Sequence, residues 1–120
     1  MKFLWTTIHV SDMEKSLAFY KEFAGLDVTR RHTSAGDREI AFLGEGETKV
    51  ELIFDPSSTQ VHHSKDISIG FAVASMDEQL KFITERGLAV ESGPFEPNPH
   101  VRFFYVLDPN GVKVQFLENR

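Results

Sequence analysis

The alternation of apolar and polar positions divides the chain into strands and two helices. Phe3 to Val10 is rich in β-branched and aromatic residues and predicts a strand. Ser11-Asp12-Met13-Glu14 follows and fits a capping box, in which the Ser11 hydroxyl accepts from the Glu14 amide. Leu17, Phe19, Tyr20 and Phe23 recur at helical spacing, and Gly25 can end that helix. Strands are then expected at Leu26 to Thr33, Glu39 to Leu43 and Lys49 to Phe54, with turns at Ser34–Asp37 and Gly44–Glu47. Asp55 to Lys65 is a polar connector. The pattern then restarts with a strand at Ile67 to Val73 and a second capping box, Ser75-Met76-Asp77-Glu78. Leu80, Phe82 and Ile83 give a second helix face, closed by Gly87. Further strands are predicted at Leu88 to Glu91, Val101 to Leu107 and Val112 to Glu118, the last two joined by an Asp108-Pro109-Asn110-Gly111 turn.

The two halves overlay. Val10 and Val73 stand 63 residues apart, as do Met13 and Met76, Leu17 and Leu80, and Phe19 and Phe82. Lys49-Val50 and Lys113-Val114 stand 64 apart, and the same offset matches Leu43 with Leu107 and Arg38 with Arg102. Element order, capping and the final strand repeat together, which chance similarity between amphipathic segments does not produce. The fold class is α+β: two tandem βαβββ modules forming curved mixed sheets, one helix per module. One domain over residues 1–120 is expected, with module one at about 1–58 and module two at about 66–120.

Composition narrows the function classes. The hydrophobic fraction of 41% and charged fraction of 26% describe a folded globular chain. Lys and Arg number 13 against 18 Asp and Glu, a net charge of −5 that gives a phosphate backbone no reason to bind; no nucleic-acid partner is expected. With no cysteine, disulfides, thiolate zinc sites and cysteine nucleophiles are excluded. No stretch approaches the ~20 apolar residues of a membrane span, and Met1–Thr7 turns polar too early for a signal peptide, so a cytoplasmic location is expected. Eleven Phe residues imply an aromatic core or an aromatic pocket.

Side chains alternate between the two faces of a strand, which sorts the candidates. Ile8 and Val10 lead into the first helix, so the opposite face of that strand carries Phe3, Trp5, Thr7 and His9. Ile69, Phe71 and Val73 form the matching apolar face of the fifth strand, opposite Ser68, Gly70 and Ala72. Phe19, Phe71, Phe82 and Phe116 fall on helix–sheet faces, while Phe3 falls beside Trp5. Glu51 and Gln115 are repeat-equivalent, and so are Trp5 and Ser68. If the mixed faces curl together, these four residues converge on the floor of one cup. If those faces are solvated, they are ordinary outward-facing residues. The pattern leaves both open.

Two segments carry a family resemblance: Ile8-His9-Val10-Ser11-Asp12-Met13-Glu14-Lys15-Ser16-Leu17-Ala18-Phe19-Tyr20, and Asp108-Pro109-Asn110-Gly111-Val112-Lys113-Val114-Gln115-Phe116. The chain resembles the vicinal oxygen chelate superfamily, the glyoxalase and bleomycin-resistance fold, over essentially its whole length. That scaffold hosts isomerases, dioxygenases, thiol transferases and drug-sequestering binders. In metal-using members the resemblance implies four ligands, usually His or Gln, Glu, His and Glu. The matching positions here are Trp5, Glu51, Ser68 and Gln115. Glu51 is a standard match and Gln115 can coordinate through its carbonyl oxygen; Trp5 cannot ligate a metal and Ser68 is a poor ligand.

Each candidate has a plainer alternative. A carboxylate in a partly apolar cup is disfavoured in its charged form and suited to exchanging a proton, which makes Glu51 a catalytic candidate. Otherwise it is paired with Lys49 or Lys113, or solvated. Trp5 can stack a flat ligand or pack in the core. His9, on the same face, can meet an anion or act as a base, or sit hydrogen-bonded near the core. His62, His63 and His100 lie in loops that are candidates for a lip over the cup, and surface residues otherwise. Arg38 and Arg102 are anion contacts or members of surface ion pairs.

Three functions follow. The first is a protein binding a small, planar or partly apolar molecule through Trp5, His9, Glu51, Ser68 and Gln115, with no conventional metal. The second is a glyoxalase I-like (lactoylglutathione lyase-type) isomerase using Ni, Zn, Co or Mn, in which His9 would have to join Glu51 and Gln115. The third is a non-catalytic domain whose cup is filled by aromatic side chains. The resemblance implies a homodimer in each case. Whether the protein is an enzyme stays open at this point.

Overall fold

Alternation at the start of the chain becomes strand β1 (Trp5–Val10), with Ile8 and Val10 buried and Trp5, Thr7 and His9 on the exposed face. The structure, a computed structural model, describes residues 1–120. They divide into two units, Met1–His62 and His63–Arg120. The first contains β1, helix α1 (Met13–Ala24), β2 (Val28–Thr33), β3 (Glu39–Leu43) and β4 (Lys49–Phe54). The second contains β5 (Ser68–Ala72), helix α2 (Met76–Glu85), β6 (Ser92–Asn98), β7 (Val101–Leu107) and β8 (Lys113–Asn119). The sheets have orders β1-β4-β3-β2 and β5-β8-β7-β6. In each, the first pair is parallel and the others antiparallel. These are two βαβββ modules of an α+β fold, as the repeat predicts.

In the first unit, Ile8, Val10, Phe19, Tyr20 and Leu52 are core residues. The helix N-cap is Asp12, not the expected Ser11. Its backbone is still extended (φ −150°, ψ 112°), and its carboxylate accepts from the Lys15 amide at 3.0 Å. Asp12 is the residue at which the chain turns, and a carboxylate there also complements the helix dipole. Gly25 closes α1 as expected, at φ 66°, where a side chain would be strained. Phe3 lies ahead of β1 and is 65% exposed, so it does not share a strand face with Trp5 as its sequence position suggested.

In the second unit, Ser75 caps α2 as expected, accepting from the Glu78 amide at 3.2 Å. Glu118 on β8 reaches the same end of the helix and accepts the Met76 amide at 2.7 Å. Met76 and Ile83, two turns apart, take the buried positions, and Phe82 stays partly exposed with the Arg86 guanidinium 3.6 Å from its ring centroid. Phe71 is also only partly buried. Phe104 is fully buried against Phe116, ring centroids 5.5 Å apart. The Asp108–Gly111 turn is held by a buried carboxylate: Asp108 accepts the amides of Asn110 at 2.7 Å and Val112 at 2.8 Å, and the Asn110 side-chain amide at 3.2 Å.

Two further expectations are corrected. Leu88 to Glu91 is not a strand; β6 is the next segment, Ser92–Asn98, despite Pro94 and Pro97. An edge strand needs few of its N–H groups, and the pairing of β6 to β7 is irregular enough to omit those two. The repeat offset also changes within the sheets. Glu39 pairs with Phe54 and Arg102 with Glu118, while Leu43 pairs with Val50 and Val106 with Val114. Arg102 therefore corresponds to Glu39, and Leu43 to Val106. The connection from Val106 to its partner Val114 is one residue longer than that from Leu43 to Val50, and this slips the matches of Arg38 with Arg102 and Leu43 with Leu107.

Candidate functional site

Parallel pairing of β1 with β4 sets Thr7 beside Glu51 on the face turned away from α1. Glu51 is 9% exposed, and its Oε1 accepts the Thr7 hydroxyl at 2.5 Å. It is neither solvated nor paired with Lys49, whose ammonium donates to the carbonyls of Gly44 at 2.9 Å and Gly46 at 3.2 Å. Phe42 stands opposite Glu51 on the other side of β4. Its ring meets Trp5 edge to face, centroids 5.2 Å apart at 68°. Because β4 lies between β1 and β3, the two rings meet across it.

Beside this ring pair is a cavity of about 350 Å³. Leu4, Trp5 and Phe42 supply apolar wall, and Thr29, Arg30, Lys49 and Glu47 the polar part. The Arg30 guanidinium lies 5.9 Å from the Phe42 centroid. The volume sits at the low end of the ~300–1,000 Å³ usual for small-molecule pockets. His9 pairs in register with Ile53 and does not line this cavity. His32, two residues along β2 from Arg30, has its Nδ1 buried with no hydrogen-bond partner.

The second sheet carries the other two candidates. Ser68 is exposed and pairs in register with Lys113. Gln115 lies between Gly70 and Tyr105, and its Nε2 donates to the Tyr105 hydroxyl at 3.3 Å. A Cβ at position 70 would stand 2.9 Å from Gln115 Oε1, so the glycine makes room for this amide. Phe95, Phe103 and Tyr105 form an aromatic cluster with centroids 5.3 to 6.3 Å apart, and the Lys113 ammonium lies 4.2 Å from the Tyr105 centroid. Arg38 pairs with Asp55 at 3.3 Å and Arg102 with Asp77 at 3.1 Å, the surface ion-pair roles weighed for them.

Trp5, His9 and Glu51 thus share one face of the first sheet, and Ser68 and Gln115 one face of the second. Sequence reasoning missed Phe42 and Arg30. Phe42 was findable, since Ala41 and Leu43 face the helix and Phe42 must face away. Arg30 was not, because a register shift between Val28 and Arg30 breaks the alternation of β2.

The donor chemistry does not fit a conventional divalent-metal site. An indole cannot ligate, Ser68 has an ammonium-bearing neighbour in register, and one Glu51 oxygen is held by Thr7. No three His, Cys, Asp or Glu side chains gather as a possible metal cluster.

The sequence and fold match a known family. The model of the Glyoxalase/Bleomycin resistance protein/Dioxygenase superfamily matches residues 2–116, and the chain belongs to that superfamily. Among similar proteins, the uncharacterized protein YwbC of Bacillus subtilis is 33% identical, covering 94% of both chains. The lactoylglutathione lyase of Haemophilus influenzae is 27% identical, covering 100% of this chain and 94% of its own. Among solved structures, the trypanothione-dependent glyoxalase I of Leishmania major has a TM-score of 0.85 at 23% identity, covering 98% of this chain and 86% of its own. TnmS3, an antibiotic-binding protein from Streptomyces, has a TM-score of 0.78 at 21% identity, covering 100% and 97%.

Proposed function

We propose that this protein binds a small, planar, partly apolar molecule on the open face of its first sheet, without a conventional divalent metal. The observation that carries this reading is the cavity of about 350 Å³ beside the edge-to-face pair of Trp5 and Phe42. Aromatic walls supply apolar contact area and a stacking surface for a flat ligand. Glu51 and its Thr7 donor give the same face a polar, hydrogen-bonding centre. The fold of an antibiotic-binding protein is compatible with this role. A cytoplasmic homodimer completes the reading, to be tested by sedimentation.

Trp5 is the only tryptophan, so occupancy should quench the protein's emission. Menadione, a flat apolar quinone, is expected to quench saturably, and Phe42→Ala to weaken that binding. Linear, non-saturating quenching, unchanged by Phe42→Ala, would sink the proposal.

A second reading has support from a relative named lactoylglutathione lyase over the full length of this chain. Formation of lactoylglutathione from its isomeric hemithioacetal, after loading with Ni, Zn, Co or Mn, separates the two. Metal-dependent turnover abolished by Glu51→Gln would establish an isomerase instead.

A further inference from the structure

We infer that the cavity selects planar aromatic acids, with the ring system against Trp5 and Phe42 and the carboxylate on Arg30. This rests on the binding reading above and adds the charge of the ligand to it.

The inference comes from the balance of charge around the cavity. Three charged side chains line it: Arg30, Glu47 and Lys49. Glu47 stands 3.9 Å from Lys2, an exposed pair that adds no net charge beside the cavity. Lys49 is bound by two neutral carbonyl oxygens, which fix the ammonium but leave its charge in place. Arg30 makes no ion pair, and its only polar engagement is with the Phe42 ring. The cavity therefore has an uncompensated positive wall, in a protein whose net charge is −5. A guanidinium presents paired N–H donors that match a carboxylate bidentately, and it does so here beside the ring that would hold the ligand's aromatic part. A neutral ligand of the same shape would leave that cation unmatched, and a cationic one would be repelled by Arg30 and Lys49 together. The ring and the cation share one face because Arg30 and Phe42 are cross-strand partners.

The test is calorimetric titration with three probes of one shape: 2-naphthoate, neutral 2-naphthalenemethanol and 2-naphthylmethylammonium. Naphthoate is expected to bind at least about tenfold tighter than the alcohol, and the ammonium most weakly. Raising salt should erode that preference. Arg30→Gln should bring the ratio of the naphthoate and alcohol dissociation constants close to one, and Arg30→Lys should restore part of it. Equal binding of naphthoate and alcohol to the wild type, or a ratio that Arg30→Gln leaves unchanged, would overturn the inference while leaving the binding reading standing. Failure of all three probes to bind would overturn both.

Discussion

At Glu51, a hydroxyl holds the carboxylate, where a lysine partner was one of the readings weighed. Thr7 Oγ1 donates at 2.5 Å to a group that is only 9% exposed. A buried acceptor that loses its donor bears a desolvation penalty, so Thr7→Val, which keeps the shape, should cost about 1–3 kcal/mol by urea unfolding. Thr7→Ser should recover most of it. Unchanged stability in Thr7→Val would mean that Glu51 is solvated after all. The face on which Thr7, Glu51 and Trp5 lie was legible from alternation. Their partners were not, because those depend on the parallel register of β1 with β4, which no local pattern carries. The same holds for Gln115: its equivalence to Glu51 could be read, but its bond to Tyr105 and its fit over Gly70 needed β5, β7 and β8 in register.

Helix ends separate what a short motif says from what the backbone does. Both capping boxes were visible, and the second is formed by Ser75 as written. The first is displaced by one residue, because Asp12 is also a good cap and the extended backbone ends there. Asp12→Ala should therefore cost about 1 kcal/mol in thermal or urea unfolding, and Ser11→Ala clearly less. The reverse order would restore Ser11 as the cap. At α2, the Met76 amide and then Arg120 hold the Glu118 carboxyl below its ordinary range. The stability this adds is fully present above the unfolded carboxyl's value of about 4.3 and is lost as pH falls through the lower folded value. Glu118→Gln should thus be less stable than wild type at neutral pH, with the gap closing below about pH 4. A gap that stays constant with pH would contradict that role. Strand β6 was the element least legible in the sequence. Its two prolines read as loop, and only the edge position explains how they are tolerated.

For the chain as a whole, the internal repeat was the strongest signal. It carried the order of elements and the fold class, while the family resemblance rested on Ile8–Tyr20 and Asp108–Phe116. Its limit was a single residue: the paired positions across β7 and β8 are separated by one residue more than those across β3 and β4, which moves Arg102 into correspondence with Glu39. The 11 Phe residues divide accordingly, with Phe19, Phe104 and Phe116 in the cores and Phe42 against Trp5 at the cavity. The central claim is that this cavity binds a flat molecule with no metal taking part. Its most direct measurement is the Trp5 fluorescence titration with menadione, run on protein purified without chelator, with and without added EDTA. The account predicts saturable quenching with the same midpoint in both. Quenching that is absent after EDTA and returns when Ni, Zn, Co or Mn is added would contradict it.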